Sequence, residues 1–282
     1  MNATGHMLVT RIAWDEMTPS TRQAVELLTA DPNNPITGKP TTELDNDVFT
    51  ASTWMDDIKP SLRTRHYIDI PLNGNGAFPE GPNSLTYIKD RIRILKDPKA
   101  SKDEKAEALR VTMHLVGDIH QPLHDCDNDD HGGNSFALNG QNELHQLWDS
   151  GGNQWKRIER PLQEKGREKL AELAAGIEKA YPLAEYRFRA SDLNPDDWAR
   201  EGYAIDKKDV YDGVHRYHAA SESYLEKARQ DMNLQAALGG YRLANLLNGI
   251  FEKSPVVPAS VSAAAAMPAP LPASDKGPIA II

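Results

Sequence analysis

Two histidine–aspartate pairs with a spacing of four residues are the feature of this sequence that most directly indicates chemistry. His114 and Asp118 form the first pair, and His145 and Asp149 form the second. Residues four apart on a helix lie on the same face, so each pair would present an imidazole and a carboxylate together. Both groups are zinc ligands in proteins. One such pair is common on an ordinary helix surface, but two within 36 residues predict a metal site.

Histidines are concentrated in the same region, since five of the nine lie within residues 114–145. His124 follows Pro122, where the chain must leave a helix because proline lacks an amide donor and clashes with the preceding turn. We therefore expect His124 to face a different metal from the one bound by His114 and Asp118.

Four other histidines are given other roles. His120 points away from the His114 face, and we interpret it as support for a metal ligand. The remaining three are interpreted as ordinary polar residues: His131, His215 and His218.

Upstream of residue 70 the sequence offers further metal-binding groups. "HYID" places His66 and Asp69 on an extended segment, and "WMDDIK" places Asp56 and Asp57 near the end of a helix. His6 lies close to the first residue, whose free amine is a competent ligand once a cation assists its deprotonation.

The segments that must position these groups follow a helical pattern along most of the chain, which predicts an all-α fold. Ser101 and Glu104 form a capping-box pattern at the start of the helix that carries His114. Only residues 65–72 are expected to be extended. The predicted helices cover residues 5–17, 18–32, 44–60, 84–98, 101–122, 143–150, 155–180, 195–210, 214–230 and 232–252.

Composition limits the function classes. The 282 residues are 39% hydrophobic and 26% charged, with a net charge of −9. This charge argues against a protein that holds nucleic acid on a basic surface, although bound cations would reverse the local sign inside a cleft. The single cysteine, Cys126, cannot form an intrachain disulfide. No apolar run is long enough to span a membrane, and no signal peptide is expected in this chain.

The last 29 residues differ in composition from the rest, with six prolines among alanine, valine and serine. We predict one domain over residues 1–253 and a disordered tail without a catalytic role over 254–282.

Several of these motifs together resemble those of the S1/P1 family of zinc-dependent, single-strand-specific nucleases and 3′-nucleotidases. They occur in the family's order over about 250 residues, and the "GDIHQPLH" block is the most specific. The motifs are "GH" (5–6), "ASTWMDD" (51–57), "HYID" (66–69), "MHLVGDIHQPLH" (113–124), "GGN" (132–134), "LHQLWD" (144–149) and "GGYRLANLLN" (239–248).

The resemblance implies an all-α fold with three zinc ions at the bottom of a cleft. One ion would be held by Asp56, His66, His114 and Asp118. A second would share Asp118 and use His6 together with the backbone nitrogen and oxygen of Met1, a position where the family carries tryptophan after signal-peptide cleavage. The third would be held by His124, His145 and Asp149.

The chemistry implied by the family is attack on phosphorus, in line, by a zinc-activated hydroxide, which leaves a 5′-phosphate and a free 3′-hydroxyl. Asp56 would also orient the nucleophile. Lys59 occupies the position of a family arginine or lysine that neutralises charge in the transition state.

The same resemblance assigns the substrate contacts. Tyr67 would stack on a nucleobase, while Asp69 and Asn134, the latter with Gly133 in the "GGN" loop, would meet the base edge. A paired base is unavailable for such stacking, so single strands are favoured. His131 stands where the family often has arginine, and would replace a basic contact at the rim.

The substrates implied are single-stranded RNA and DNA and 3′-nucleotides, and we expect a secreted or periplasmic monomer with no stable protein partner and no membrane contact. Two alternatives remain open from the sequence. One is a zinc phospholipase C of the same superfamily, which "HYID" and "GGN" disfavour. The other is a metal-binding or nucleotide-binding module without turnover, which an intact ligand set disfavours.

Overall fold

Helices form almost all of the secondary structure in the part of the chain described by the computed structural model, residues 1–30, 47–58, 62–140 and 143–252. The predicted all-α class is confirmed. In chain order the α-helices are α1 (Ala3–Glu16), α2 (Pro19–Thr29), α3 (Trp54–Asp57), α4 (Ser84–Lys96), α5 (Lys102–Ile119), α6 (Pro122–Asp125), α7 (Leu144–Asp149), α8 (Glu164–Ala180), α9 (Leu183–Ala190), α10 (Pro195–Ile205) and α11 (Glu222–Phe251).

Shorter elements connect these helices. Two 3₁₀ turns cover Thr50–Thr53 and Arg63–Arg65, and a π-helical turn covers Asp206–Val210. Strands β1 (Ile70–Pro71) and β2 (Cys126–Asp127) pair in parallel. No helix among the described residues is long and apolar enough to cross a membrane.

The core forms where α1 packs between α11 and α8 while α5 packs against α4 and α2. Met7, Val9 and Ile12 on α1 are fully buried. Gly240 on α11 permits the close approach of the two helices, because a Cβ atom at this position would lie 2.5 Å from Cγ2 of Ile12. The buried face of α1 therefore fixes the position of the chain start beside α5.

Several predicted helix boundaries agree with the structure. The capping box at the start of α5 is present, with the Ser101 hydroxyl accepting from the Glu104 amide (3.2 Å) and the Glu104 carboxylate accepting from the Ser101 amide (2.7 Å). Thr18 caps α2 as the Thr-Pro pattern predicted.

Other predicted boundaries are wrong. Residues 155–163 precede α8 and are not helical; Pro161 disfavours the helical conformation of the residue before it. Residues 214–221 are also not helical, and a single helix, α11, replaces the two helices expected from 214 to 252. Helix α9 was not predicted.

Candidate metal centre

The long helix α5 carries the first pair of predicted ligands into the interior. His114 and Asp118 are both buried on its last turns, one turn apart. The helix ends at Ile119, and Pro122 begins α6, which brings His124 back towards the same cleft. The expected change of direction at the proline is therefore present.

The parallel strand pair brings the "HYID" segment beside α6. Ile70 is opposite Cys126 in this pair. Just before it, the Ile68 amide donates to the His124 carbonyl (2.7 Å), and Nδ1 of His124 donates to the His66 carbonyl (2.8 Å). Each of the two histidine-bearing segments is thus held in place by the other.

Three groups of side chains in the described residues are close enough to hold metal ions, and each group places one donor atom per residue within 4.8 Å of the others. The groups are His6, His114 and Asp118; Asp56, His66 and His114; and His124, His145 and Asp149.

The two oxygens of the buried Asp118 carboxylate face different partners. Oδ2 lies 3.0 Å from Nε2 of His114 and 3.1 Å from Nδ1 of His66. Oδ1 lies 3.3 Å from Nε2 of His6 and 2.9 Å from the Met1 amine. A carboxylate in this position can bridge two cations.

Asp56 belongs to the second group, which shares His114 with the first. Its Oδ1 is 3.8 Å from both Nδ1 of His66 and Nε2 of His114. The neighbouring Asp57 faces elsewhere and forms an ion pair with Arg160 (2.6 Å). Of the two adjacent acids, only Asp56 joins the cluster.

The third group is formed by α6 and α7. Oδ1 of Asp149 lies 3.3 Å from Nε2 of His124 and 3.6 Å from Nε2 of His145. The side-chain amide of Gln121 donates to the same oxygen (2.8 Å). The sequence analysis did not single out Gln121, although it belongs to the "GDIHQPLH" block; its contact with a residue 28 positions away depends on the fold.

The chain start lies between the groups. The Met1 amine is 3.2 Å from Nε2 of His124 and 3.3 Å from Oδ1 of Asp149, in addition to its contact with Asp118. Asn2 fixes this position in two ways. Its side-chain oxygen caps α1 by accepting from the Gly5 amide (2.8 Å), and its backbone amide donates to the Asp149 carbonyl (3.1 Å).

Backbone carbonyls orient three of the imidazole rings. Nδ1 of His114 donates to the Ser52 carbonyl (2.8 Å), and Nδ1 of His145 donates to the Gly132 carbonyl (2.7 Å). Nδ1 of His124 donates to the His66 carbonyl in the same way. Because a carbonyl only accepts, Nδ1 carries the proton and the Nε2 lone pair faces the cluster in each ring.

His6 provides the clearest indication that this donor set suits a cation. Both of its ring nitrogens are buried, and neither has a well-aligned hydrogen-bond partner, although Nε2 lies 3.3 Å from Oδ1 of Asp118; this is a costly arrangement for a polar group. Its ring stacks on that of His114, with centroids 3.9 Å apart. Gly117 makes room for it, since a Cβ atom there would lie 2.6 Å from Nδ1 of His6. Imidazole and carboxylate donors in this arrangement fit zinc.

The electrostatics of the cluster keep His6 and the two buried aspartates in the forms that bind metal. Burial alone would raise the pKa of Asp118, but the Met1 amine and the surrounding histidines hold it well below the usual range. The pKa of Asp149 is lowered in the same way. Burial and the nearby charge of His114 lower the pKa of His6 to about 4, so His6 is neutral at pH 7.

The pKa of the Met1 amine is shifted in the opposite direction. Burial would lower its pKa, but the charges of Asp118 and Asp149 outweigh that effect and raise the pKa to about 10. In the absence of a metal cation the amine is therefore protonated at pH 7, and its positive charge pairs with these carboxylates. A cation would compete with the proton for the same site.

The clusters line a cleft of about 970 Å³ whose rim carries most of the predicted substrate contacts. Tyr67, Asp69, His131 and Asn134 all line this cleft. Gly133 is buried behind it instead: its carbonyl accepts from the His145 amide (3.3 Å), and a Cβ atom there would contact Leu123. Gly133 thus lies where it positions His145, a predicted metal ligand.

Two further predictions concern residues near the cleft. Lys59 lies outside the described residues. His120 does not touch any of the clustered donors, contrary to its expected role: its Nδ1 donates to the Val116 carbonyl (2.7 Å), and its Nε2 accepts from Arg242 (2.9 Å) on α11. It links α5 to α11.

Comparisons with known proteins match this chain to nucleases. A family model described as S1/P1 Nuclease matches residues 2–252. Endonuclease 2 of Arabidopsis thaliana is 31% identical, with 88% of this chain and 89% of the relative covered. Endonuclease 1 of the same plant is 25% identical over 88% of this chain and 86% of its own length. Nuclease P1 of Penicillium citrinum is 24% identical over 71% and 83%.

Proposed function

The chain belongs to the S1/P1 nuclease family and is a metal-dependent nuclease; from this premise we propose that it is a zinc-dependent endonuclease for single-stranded RNA and DNA. The proposed products carry 5′-phosphates, and the same site removes the phosphate from 3′-nucleotides. We also propose that the protein is a secreted or periplasmic monomer and that residues 1–253 form its catalytic domain.

The position of Asp118 is the observation that carries this proposal. One carboxylate with its two oxygens directed at separate histidine groups, beside a buried amine, is suited to hold a pair of cations. His124, His145 and Asp149 would hold a third cation on the other side of the Met1 amine. Zinc, when bound, supplies Lewis acidity that makes water nucleophilic near neutral pH and offsets the charge of a phosphodiester.

The chain's own residues position the reaction. Asp56 is half exposed to the cleft. Burial would raise its pKa, but His114 and His6 lower it, so the carboxylate is ionised and can accept a hydrogen bond from an attacking water molecule. Lys59, three residues later in the sequence, is proposed to neutralise charge on the phosphate.

The preference for single strands would arise at the rim. Tyr67 is partly exposed beside the metal ligands and is proposed to stack on a base. Asp69 and Asn134 would contact the edge of that base. A base inside a duplex is already stacked and paired, so reaching this pocket would require it to leave the helix, at a free-energy cost that a single strand does not incur.

The test is a digestion assay with a single strand, the matching duplex and a 3′-nucleotide. We expect rapid release of 5′-phosphorylated products from the single strand, dephosphorylation of the 3′-nucleotide, slow attack on the duplex, and loss of all activity after chelation. Asp56→Asn should lower kcat strongly, whereas the matched variant of its neighbour, Asp57→Asn, should retain activity because Asp57 faces Arg160. Full activity after exhaustive chelation would contradict the proposal.

A further inference from the structure

An exposed aromatic residue lies beyond the rim of the cleft, on a segment that the proposed function does not use. Tyr217 belongs to the sequence "HRYH" (215–218), between the π-helical turn and α11. Its side chain is 73% exposed, although apolar rings of this size are usually covered.

The backbone of Tyr217 is strained as well. Its φ is 62°, in the left-handed region, which a bulky aromatic residue rarely adopts and which favours glycine or asparagine. Exposure and strain together mean that packing does not account for tyrosine at this position. Outliers of this kind concentrate at binding sites.

The loop that carries Asn134 holds the Tyr217 segment directly. The Tyr217 amide donates to the Ala137 carbonyl (2.8 Å), and the Asn139 amide donates to the His218 carbonyl (3.1 Å). Ala137 is three residues from Asn134, a distance of at most about 11 Å along the chain. The backbone of Tyr217 is therefore held on the same loop as the predicted base contact.

Side chains reinforce this connection. The Arg216 guanidinium lies 4.7 Å from the centroid of the Phe136 ring and donates to the Ser135 carbonyl. The Tyr211 hydroxyl donates to the buried Asp130 carboxylate (3.0 Å). These contacts hold the backbone of the Tyr217 segment against the 130–139 loop.

The chemistry around the ring suits a nucleic-acid strand. Arg216 keeps 41% of its side chain exposed, and His215 and His218 are exposed on either side. Arg216 also lies 3.7 Å from the buried Asp130 carboxylate, which pairs part of its charge. An exposed aromatic ring beside an arginine is a combination that binds single strands without sequence preference, since every base has a stacking face.

We propose that Tyr217 is a stacking platform for a second base of a single-stranded substrate, outside the cleft that holds the nucleotide being cleaved. This inference rests on the proposed function, because the strand is the substrate of that site. A polynucleotide bound in the cleft would reach Tyr217, whereas a 3′-nucleotide would not, so a change at Tyr217 should affect only the longer substrate.

The experiment compares Tyr217→Ala and Tyr217→Phe with the wild type on a short single-stranded oligonucleotide and on a 3′-nucleotide. We expect Tyr217→Ala to raise KM for the oligonucleotide roughly five- to tenfold, at the low end of base stacking. Its kcat and its kinetics on the 3′-nucleotide should not change, and Tyr217→Phe should behave as the wild type. Phe188→Ala is the matched control, since Phe188 is 91% exposed on α9, a helix that packs against α11, whereas the Tyr217 segment is hydrogen-bonded to the loop that carries Asn134.

A binding measurement separates this inference from the proposed function. Anisotropy of a labelled phosphorothioate single strand reports Kd for the protein as purified without requiring turnover, and Tyr217→Ala should raise Kd by the same factor. An unchanged Kd and KM in Tyr217→Ala, or an equal loss in Phe188→Ala, would overturn the stacking site while leaving the nuclease proposal intact. Wild-type protein that binds the strand through Tyr217 but cleaves nothing would instead contradict the proposed function.

Discussion

Replacing Asp118 by asparagine should remove turnover and lower the stability of the protein together. The carboxylate is 1% exposed and lies within 3.3 Å of the Met1 amine and of three imidazoles. Asparagine keeps the volume and one acceptor oxygen but removes the charge that these groups share. Without a cation, the variant leaves a buried amine next to one carboxylate, Asp149, instead of two.

The magnitude follows from the burial of the pair. Removing one partner of a buried ion pair costs about 3–5 kcal/mol in the free energy of unfolding. For a domain of this size each kcal/mol lowers Tm by roughly 2–4 °C, so a decrease on the order of 10 °C is expected. Loss of cations that bind only the folded state would add to this decrease in the metal-loaded protein.

The assay is thermal unfolding of wild type, Asp118→Asn and Asp57→Asn, each with excess zinc and each with chelator. Asp57→Asn is the control, because its partly exposed pair with Arg160 is worth at most about 1 kcal/mol. The reasoning predicts a smaller effect of zinc on Tm in Asp118→Asn than in the wild type. A variant that melts with the wild type and gains as much from zinc would refute the shared-ligand assignment.

Three further predictions concern the same cluster. Gly117→Ala should push His6 out of place, because the new Cβ would lie 2.6 Å from its Nδ1, and should reduce zinc content measured by elemental analysis; Gly249→Ala, in open space on α11, should not. In the metal-free protein the pKa of His6 is lowered to about 4 from 6.5, so as pH falls the unfolded chain takes up a proton before the folded chain does. Thermal unfolding should therefore show that the free energy of unfolding falls by about 3 kcal/mol between pH 6.5 and 4. His6→Asn should remove this pH dependence. The Met1 amine, with its pKa raised to about 10 from 8, should contribute stability that is complete below pH 8 and lost as pH rises to 10, and the same unfolding series extended to alkaline pH measures it.

The arrangement of the cluster within α5 could be predicted from the sequence because it depends on local geometry. A spacing of four residues places His114 and Asp118 on one face of any helix, and the capping box at Ser101 marks where that helix begins. The proline after α5 likewise indicates that His124 must turn away. None of these inferences needs long-range contacts.

The details that could not be predicted all involve residues distant in the sequence. The carbonyls that orient the rings come from Ser52, His66 and Gly132, which the fold alone brings to their histidines. Gln121 reaches Asp149 across the gap between α6 and α7 for the same reason.

Some helix boundaries failed because local patterns competed with other signals. Residues 214–221 have scattered apolar side chains, but they form a turn that is hydrogen-bonded to the 135–139 loop, and the Ser221 cap begins α11. Conversely, α11 continues past residue 231, since neither proline nor glycine interrupts it before Gly239. Tertiary packing decided the first case, and the absence of a helix-breaking residue decided the second.

Zinc content is the most direct test of the central claim that these histidines, aspartates and the chain start form one metal centre. Elemental analysis of the purified chain, paired with anomalous diffraction at the zinc edge, gives both the number and the positions of the ions. The account predicts three zinc ions per chain, one at each of the three clusters. A zinc-supplemented crystal with no anomalous peak between His114, Asp118 and His124 would contradict it.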